Sequence, residues 1–487
     1  MRQFLPKKPL FFAVCLALCL AAAGFGPLFG LDLPARQIAD DSLFRIRMKD
    51  TWLTESPSRV LTRRPVLQNL ESGERVELRV EVSQDEFMII FARELMGGRI
   101  AGGAGSASAA IPRTGSGNFP GWAQGSWVLT RHKDTGTPVR IRVFLRSDPY
   151  TYVQFRPLSA DKCQMDVVLY NAYVVRSLPL PLPLERLFTM PVNDALNLAG
   201  DKFPGKYFDP DPANYRDQWQ FITKVRERLS ELHFDDDGAI DENGNYVFIA
   251  SLERQTPASS ANGEISANSA ISANGGLNCS GFAKWLIDGI LRPVTGERMA
   301  IPPLKAPYGN RGSSFTEPWE ALRDPFFGLD WIRNLAAAAG STLRSPAYGV
   351  LDEFEVHSEP FSQIIKRSGK SYAINSYPGF LEDAGYGAEG IQPLLYTLAI
   401  DEPGKFYLAA INTEMGPAAT ADNPRGRPRL RQYFHIAALV PYFNEYGVFQ
   451  VAVFESAEET SFNAFNTRYP GHYINLVRIP LSTAFDP

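Results

Sequence analysis

Gly275-Gly-Leu-Asn-Cys-Ser-Gly-Phe-Ala-Lys-Trp-Leu-Ile-Asp-Gly-Ile290 is the stretch on which the fold turns. Two glycines allow a tight approach, and then Phe282, Ala283, Leu286, Ile287 and Ile290 recur at helical spacing on one face. Cys279 therefore stands at the first turn of a predicted helix, with Asn278 placed to cap it. The unpaired amides and positive end of a helix stabilise a thiolate, which is the reactive form of cysteine. A cysteine kept only for packing more often sits in mid-helix among apolar neighbours.

A nucleophilic thiol needs a base, and the chain has 5 histidines. His132 falls in a charged turn, His233 precedes an acidic turn, His357 lies in a polar segment and His472 follows Pro470-Gly471. These contexts point to solvated or structural roles. His435 alone opens an apolar strand, Phe434-His-Ile-Ala-Ala-Leu439, and it follows the cysteine in the chain. A base in turn needs a polar group to orient it. Asn444-Glu-Tyr-Gly447 reads as the turn of a hairpin, and pairing Phe443 with Val448 puts Gln450 and Ser456 on the face of His435. Glu455 then faces away unless a bulge brings it round, so Gln450 ranks slightly ahead of Glu455 as the orienting residue.

Asn278-Cys-Ser-Gly-Phe282 resembles the Asp-Cys-Ser-Gly motif of the NlpC/P60 peptidases, a papain-like family that cuts cell-wall peptides, with Asn in place of the usual Asp. Pro403-Gly-Lys-Phe406 is similar to that family's Pro-Gly-Asp-Leu, Phe434 to Leu439 to its His-Val-Gly-Ile strand, and Tyr473 to Ile479 to its closing strand. Lys405 stands where the family has an acid, and Val453-Phe-Glu-Ser456 occupies the place of its Ile-His-Ala-Ser. Cys279 and His435 are 156 residues apart, so the segment 293–398 would be a large insertion able to build a substrate cleft. Within it, Asp324 to Arg333 is rich in aromatic and charged residues, which suits packing more than substrate contact. The resemblance implies an α+β, papain-like hydrolase domain over 184–487 that cleaves amide bonds in peptide or peptidoglycan, with no cofactor. The alternative is a non-catalytic envelope protein whose degenerate papain-like domain binds another surface molecule.

Outward from this core, Thr256 to Gly276 repeats Ser-Ala-Asn with little apolar surface, so 255–276 is expected to be a flexible loop. His233-Phe-Asp-Asp-Asp-Gly-Ala-Ile240 invites a calcium-loop reading, but Gly244 falls where a twelfth-position Glu is required. A turn into the strand Tyr246 to Ile249 is expected instead, and no His/Cys/Asp/Glu spacing suggests zinc. Ser177-Leu-Pro-Leu-Pro-Leu-Pro-Leu184 is excluded from a central strand by its alternate prolines and reads as a stiff connector. Before it, runs such as Arg75 to Val82, Met88 to Phe91, Val139 to Phe144 and Met165 to Tyr170 alternate at period two or are strand-like. The segment 31–183 is thus expected to be a β-rich domain, a sandwich or barrel.

Residues 1–30 have the order of a secretory signal: Arg2, Lys7 and Lys8, an apolar run from Leu10 to Ala23, and three alanines at its end. Export to the periplasm or cell envelope is expected, and left uncleaved the same segment would anchor the protein in a membrane. Neither Cys15 nor Cys19 has the small preceding residue favoured in lipoprotein processing. The mature chain would keep Cys163 and Cys279, too few for a disulfide scaffold although a single pairing is an alternative. A net charge of -4 gives no general field for nucleic acid. The pattern does not speak to oligomeric state.

Overall fold

The computed structural model describes residues 38, 40–70, 73–95, 118–255, 275–309, 324–358, 362–367, 370–375, 379–382, 384–415 and 430–487. The signal-like N-terminus, the Gly/Ser-rich stretch 97–117 and residues 256–274 of the Ser-Ala-Asn loop lie outside the described residues. The protein is mixed α and β, β-rich in its N-terminal part and carrying most of its long helices in its C-terminal half.

A short helix, α1 (Ser42–Met48), precedes eight strands: β1 (Val66–Asn69), β2 (Arg75–Val82), β3 (Glu86–Arg93), β4 (Trp127–His132), β5 (Pro138–Val143), β6 (Tyr152–Pro157), β7 (Cys163–Leu169) and β8 (Ala172–Leu180). They form one antiparallel sheet in chain order, not the two packed sheets of a sandwich. The Pro-rich segment is less of a free connector than expected. Pro179 and Leu180 belong to β8 and pair with Gln164 and Cys163. Because β8 ends the sheet, a proline without an amide hydrogen is tolerated there. Leu180, Leu182, Leu184, Leu187 and Phe188 are buried, so this stretch packs as it crosses.

The apolar interior does not stop at residue 183. One core contains Val76, Phe91, Leu129 and Met165 from the first sheet, together with Leu394, Ile411, Leu439 and Val453 from the second half. That half is built on a six-stranded antiparallel sheet of order β13-β18-β14-β15-β16-β17. Its strands are β13 (Tyr386–Gly387), β14 (Lys405–Met415), β15 (Leu430–Phe443), β16 (Phe449–Glu455), β17 (Glu458–Ser461) and β18 (Tyr473–Pro480). The alternation of β15 separates two cores: Ala437, Leu439 and Phe443 face the shared one, while Ile436, Ala438 and Val440 face another.

The second core is closed by three helices, α2 (Arg216–Leu229), α3 (Cys279–Thr295) and α4 (Phe327–Leu343). A fourth, α5 (Ile391–Asp401), packs in the shared core on the other face. The segment 293–398 is therefore not a peripheral appendage. It supplies α4, whose Leu329, Trp331, Ile332 and Leu335 are wholly buried against α3 and the sheet, and also α5.

Candidate active site

The start of α3 is seated by backbone contacts that only glycines permit. A Cβ on Gly281 would lie 2.0 Å from the Gly238 carbonyl oxygen and 2.9 Å from the Ala239 Cα, and one on Gly238 would lie 1.9 Å from the Gly276 oxygen. Through this gap the Asn278 amide donates to the Gly238 carbonyl at 3.0 Å and the Leu277 amide to that of His233 at 2.7 Å. The Asn278 side chain caps the helix by accepting from the Gly281 amide at 2.8 Å, and its Nδ2 donates to the Asp236 carbonyl at 3.2 Å. The acidic turn at 233–240 thus cradles the cysteine helix and leads into the small hairpin of β9 (Gly238–Ile240) and β10 (Tyr246–Phe248). Gln255 closes the preceding loop: its Oε1 accepts from the Gly276 amide at 2.7 Å and its Nε2 donates to the Gly276 carbonyl at 3.1 Å. From α4, the indole of Trp331 donates to the Ser280 carbonyl at 2.9 Å.

His435 reaches this point from β15. Pairing with β14 shifts register between Ile411 opposite His435 and Asn412 opposite Tyr433, which leaves Phe434 as an extra, bulged residue. The bulge lets Tyr433 and Ile436 both enter the helix-side core, while His435, within β15, stands opposite Ile411. Its ring shares a cleft wall with Cys279, close enough for the two groups to shift each other's ionisation, and its Nε2 lies 2.8 Å from Glu455 Oε2. With Nε2 engaged by the carboxylate, Nδ1 is the nitrogen left for the thiol. The other oxygen of Glu455 accepts at 2.6 Å from Nη1 of Arg468, the last residue of the short helix α6 (Phe462–Arg468).

The charges follow from these contacts. Burial opposes ionisation of Cys279, yet hydrogen bonds and charge from His435, with the Ile436 amide, hold its thiol below the ordinary value. Burial likewise disfavours the His435 imidazolium, but bonds to the Cys279 sulfur and to Glu455 raise it from 6.5 to about 9. Against the desolvation that would raise it, His435 and then Arg468 keep the Glu455 carboxyl below its usual range. The arrangement favours a thiolate–imidazolium pair backed by an ionised carboxylate.

Gln450, which the expected hairpin placed beside His435, lies elsewhere. Phe443 pairs with Phe449, not Val448, and Gln450 lies opposite Tyr442 and accepts from its hydroxyl at 2.6 Å. The loop is one residue longer than expected because Val448 stays outside the ladder, its carbonyl accepting from the Asn444 amide at 3.0 Å. The Asn444 side chain accepts from the amides of Tyr446 and Val448, at 3.0 and 2.9 Å. Since strand side chains alternate, a slip of one residue exchanges the faces. Gln450 turns from the face of His435 and Glu455 turns onto it, with no bulge in β16 required, while Ser456, in the turn after β16, still lines the cleft with His435.

The remaining histidines do not reach the thiol–imidazole pair. His132 and His357 are exposed, His233 offers its carbonyl to the turn beneath α3, and His472 packs edge-on to Phe434 and Tyr469. Cys163 is buried in β7 and unpaired, burial pushing its thiol up to about 11, and Cys279 is unpaired too. A cleft of about 450 Å³ opens over Cys279 and His435, walled by Phe234, Asp236, Phe327, Tyr433 and Phe434 among others. The segment Asp324 to Arg333 serves both purposes weighed for it: Asp324, Phe327 and Gly328 line the cleft, whereas Phe326, Trp331 and Ile332 are packed inside. Sequence reasoning had no signal for Arg468 or Tyr469, which lie in a polar stretch between strands. Among the described residues no group of three or more His, Cys, Asp or Glu is arranged to hold a metal ion, and no helix is long and apolar enough to cross a membrane.

Comparison with known families places only the N-terminal part. Residues 34–207 match a family described as a domain of unknown function (DUF8515), which covers the eight-stranded sheet and ends well before Cys279. No curated protein and no solved structure matches the chain.

Proposed function

We propose that the C-terminal half is a papain-like thiol hydrolase of NlpC/P60 type that cleaves amide bonds, with cell-wall peptides as its substrate class and the envelope as its place of action. The observation that carries this reading is the meeting of Cys279 and His435 in one open cleft, with His435 Nε2 2.8 Å from Glu455 behind them. His435 takes the proton of the Cys279 thiol, and the thiolate attacks the carbonyl carbon of the scissile amide. The amides of Cys279 and Ser280, first in their helix and without intrahelical acceptors, stabilise the oxyanion. The imidazolium then protonates the departing amine, leaving a thioester on Cys279. Water, giving its proton to His435, attacks the thioester and releases the acid and the thiol. Glu455 touches no reacting atom; it orients the imidazole and favours its charged form.

The signal-like N-terminus supports export, and the first sheet, sharing a core with the hydrolase half, would present or position substrate. The test is the pH dependence of Cys279 alkylation in the folded protein, compared with His435→Ala and Cys163→Ser. Rapid reaction well below the ordinary thiol value of about 8.5, slowed by His435→Ala and unaffected by Cys163→Ser, is expected. A sluggish thiol indifferent to His435 would overturn the hydrolase in favour of a binding scaffold.

A further inference from the structure

We propose that Arg468 and Tyr469 act together as a positioning clamp that holds the Glu455–His435 pair in register with the thiol. The inference rests on the hydrolase reading and adds a component that the resemblance did not suggest. Glu455 has a side chain only 5% exposed, and its two oxygens are divided between two partners, Oε2 to His435 and Oε1 to Arg468. A carboxylate with one oxygen bonded can swing about its terminal torsion, whereas one bonded at both ends cannot without breaking a charge-assisted bond. Arg468 thereby decides where Oε2 points. The next residue closes another side of the imidazole: the Tyr469 ring stands 6.0 Å from the His435 ring at 31°, and the Arg468 guanidinium lies 5.7 Å from the Tyr469 centroid. Tyr469 is itself anchored edge-on to Phe465 in α6.

The groups that face the pair from the neighbouring elements are Cys279 from α3, Arg468 at the end of α6 and Tyr469 just after it, Glu458 opposite Glu455 on β17, and Asp236 and Asp324 in the cleft wall. His472 lies beyond Tyr469. Arg468 supplies the positive charge next to the carboxylate other than the imidazolium itself. Its side chain is 46% exposed, so replacing it removes a bond to Glu455 without opening the core.

Two roles for Arg468 predict opposite signs. If it acted only as a nearby positive charge, its removal would make the imidazolium easier to keep and the His435 titration would move upward. If it holds Glu455 in place, its removal frees the carboxylate, the imidazolium loses its partner and the titration moves downward. The experiment is NMR titration of histidine-labelled full-length protein, with His435 assigned by its absence in His435→Gln. Arg468→Met, Arg468→Lys, Glu455→Gln and the double variant are compared, with thermal unfolding as a control. The clamp predicts a downward shift of about one unit in Arg468→Met, a loss of roughly tenfold in Cys279 alkylation at pH 7, and partial restoration by Arg468→Lys. It also predicts little further effect of Arg468→Met once Glu455 is Gln. An upward shift, no shift, or full additivity with Glu455→Gln would refute the clamp while wild-type thiol activation stands. An inert wild-type Cys279 with His435 titrating near 6.5 would instead refute the hydrolase reading itself.

Discussion

Replacing Gly281 by alanine sets two physical effects against each other. Helix propensity alone favours alanine over glycine inside a helix by about 1 kcal/mol. The structure opposes it, because the new methyl would stand 2.0 Å from the Gly238 oxygen and 2.9 Å from the Ala239 Cα, both of them backbone atoms of the strand beneath. Side chains can rotate away from such a contact, but a paired strand cannot, so the first turn of α3 must lift by about an ångström. Overpacking of this kind costs about 3 kcal/mol at the upper end of its usual range, leaving a net loss of roughly 2 kcal/mol. For a chain of 487 residues whose halves share a core, that lowers the unfolding midpoint by only about 2 °C. Displacing the thiol by an ångström from His435 should also slow its reaction about a hundredfold. Thermal unfolding followed by circular dichroism, with alkylation of Cys279 at pH 7, reads both effects. A Gly281→Ala protein that melts at or above the wild-type temperature and alkylates at the wild-type rate would show that the glycine is not needed for close approach.

Three further outcomes follow from the site. Glu455→Gln keeps the shape of the orienting side chain but removes its charge, a difference of about 1.5–3 kcal/mol for a bond to an ionised partner, so Cys279 alkylation at pH 7 should fall at least tenfold. Gln450→Ala should leave alkylation unchanged, since its partner is Tyr442 and it faces away from His435; a large loss would restore the discarded hairpin register. Because His435 is raised from 6.5 to about 9 on folding, its contribution is fully present below pH 6.5 and lost as pH rises through 9, an effect the depressed Cys279 thiol offsets in part. Denaturant unfolding at pH 6 and pH 10 should show that loss in the wild type, and His435→Gln should flatten it.

The parts of the fold legible in the sequence are those set by local rules. Asn278 reads as a cap and takes that place, with the Gly281 amide on its side chain. Several strands follow their apolar runs to within a residue or two, Arg75–Val82 and Tyr473–Pro480 among them, but β15 begins at Leu430, so His435 does not open it as expected. The pairing of Cys279 with His435 was legible as well, from residue type, order and context. The turn at 233–240 leading to the strand from Tyr246 was legible too, although the need for Gly238, where the backbones of Gly276 and Gly281 pass close to it, was not.

What the sequence determined by itself is therefore the helix with its cysteine, the strand with its histidine, and the strand-rich first half, since periodicity and capping act over a few residues. Tertiary structure decided which residue meets the histidine, and it did so through one hydrogen-bonded turn: Asn444 draws in the Val448 amide, the ladder starts one residue later, and every side chain on β16 changes face. It also decided that Arg468 and Tyr469 meet the site, because that contact depends on how a helix after β17 folds back over β16. Alternation along a strand is a local property, but its phase against a neighbouring strand is fixed only when the turn closes.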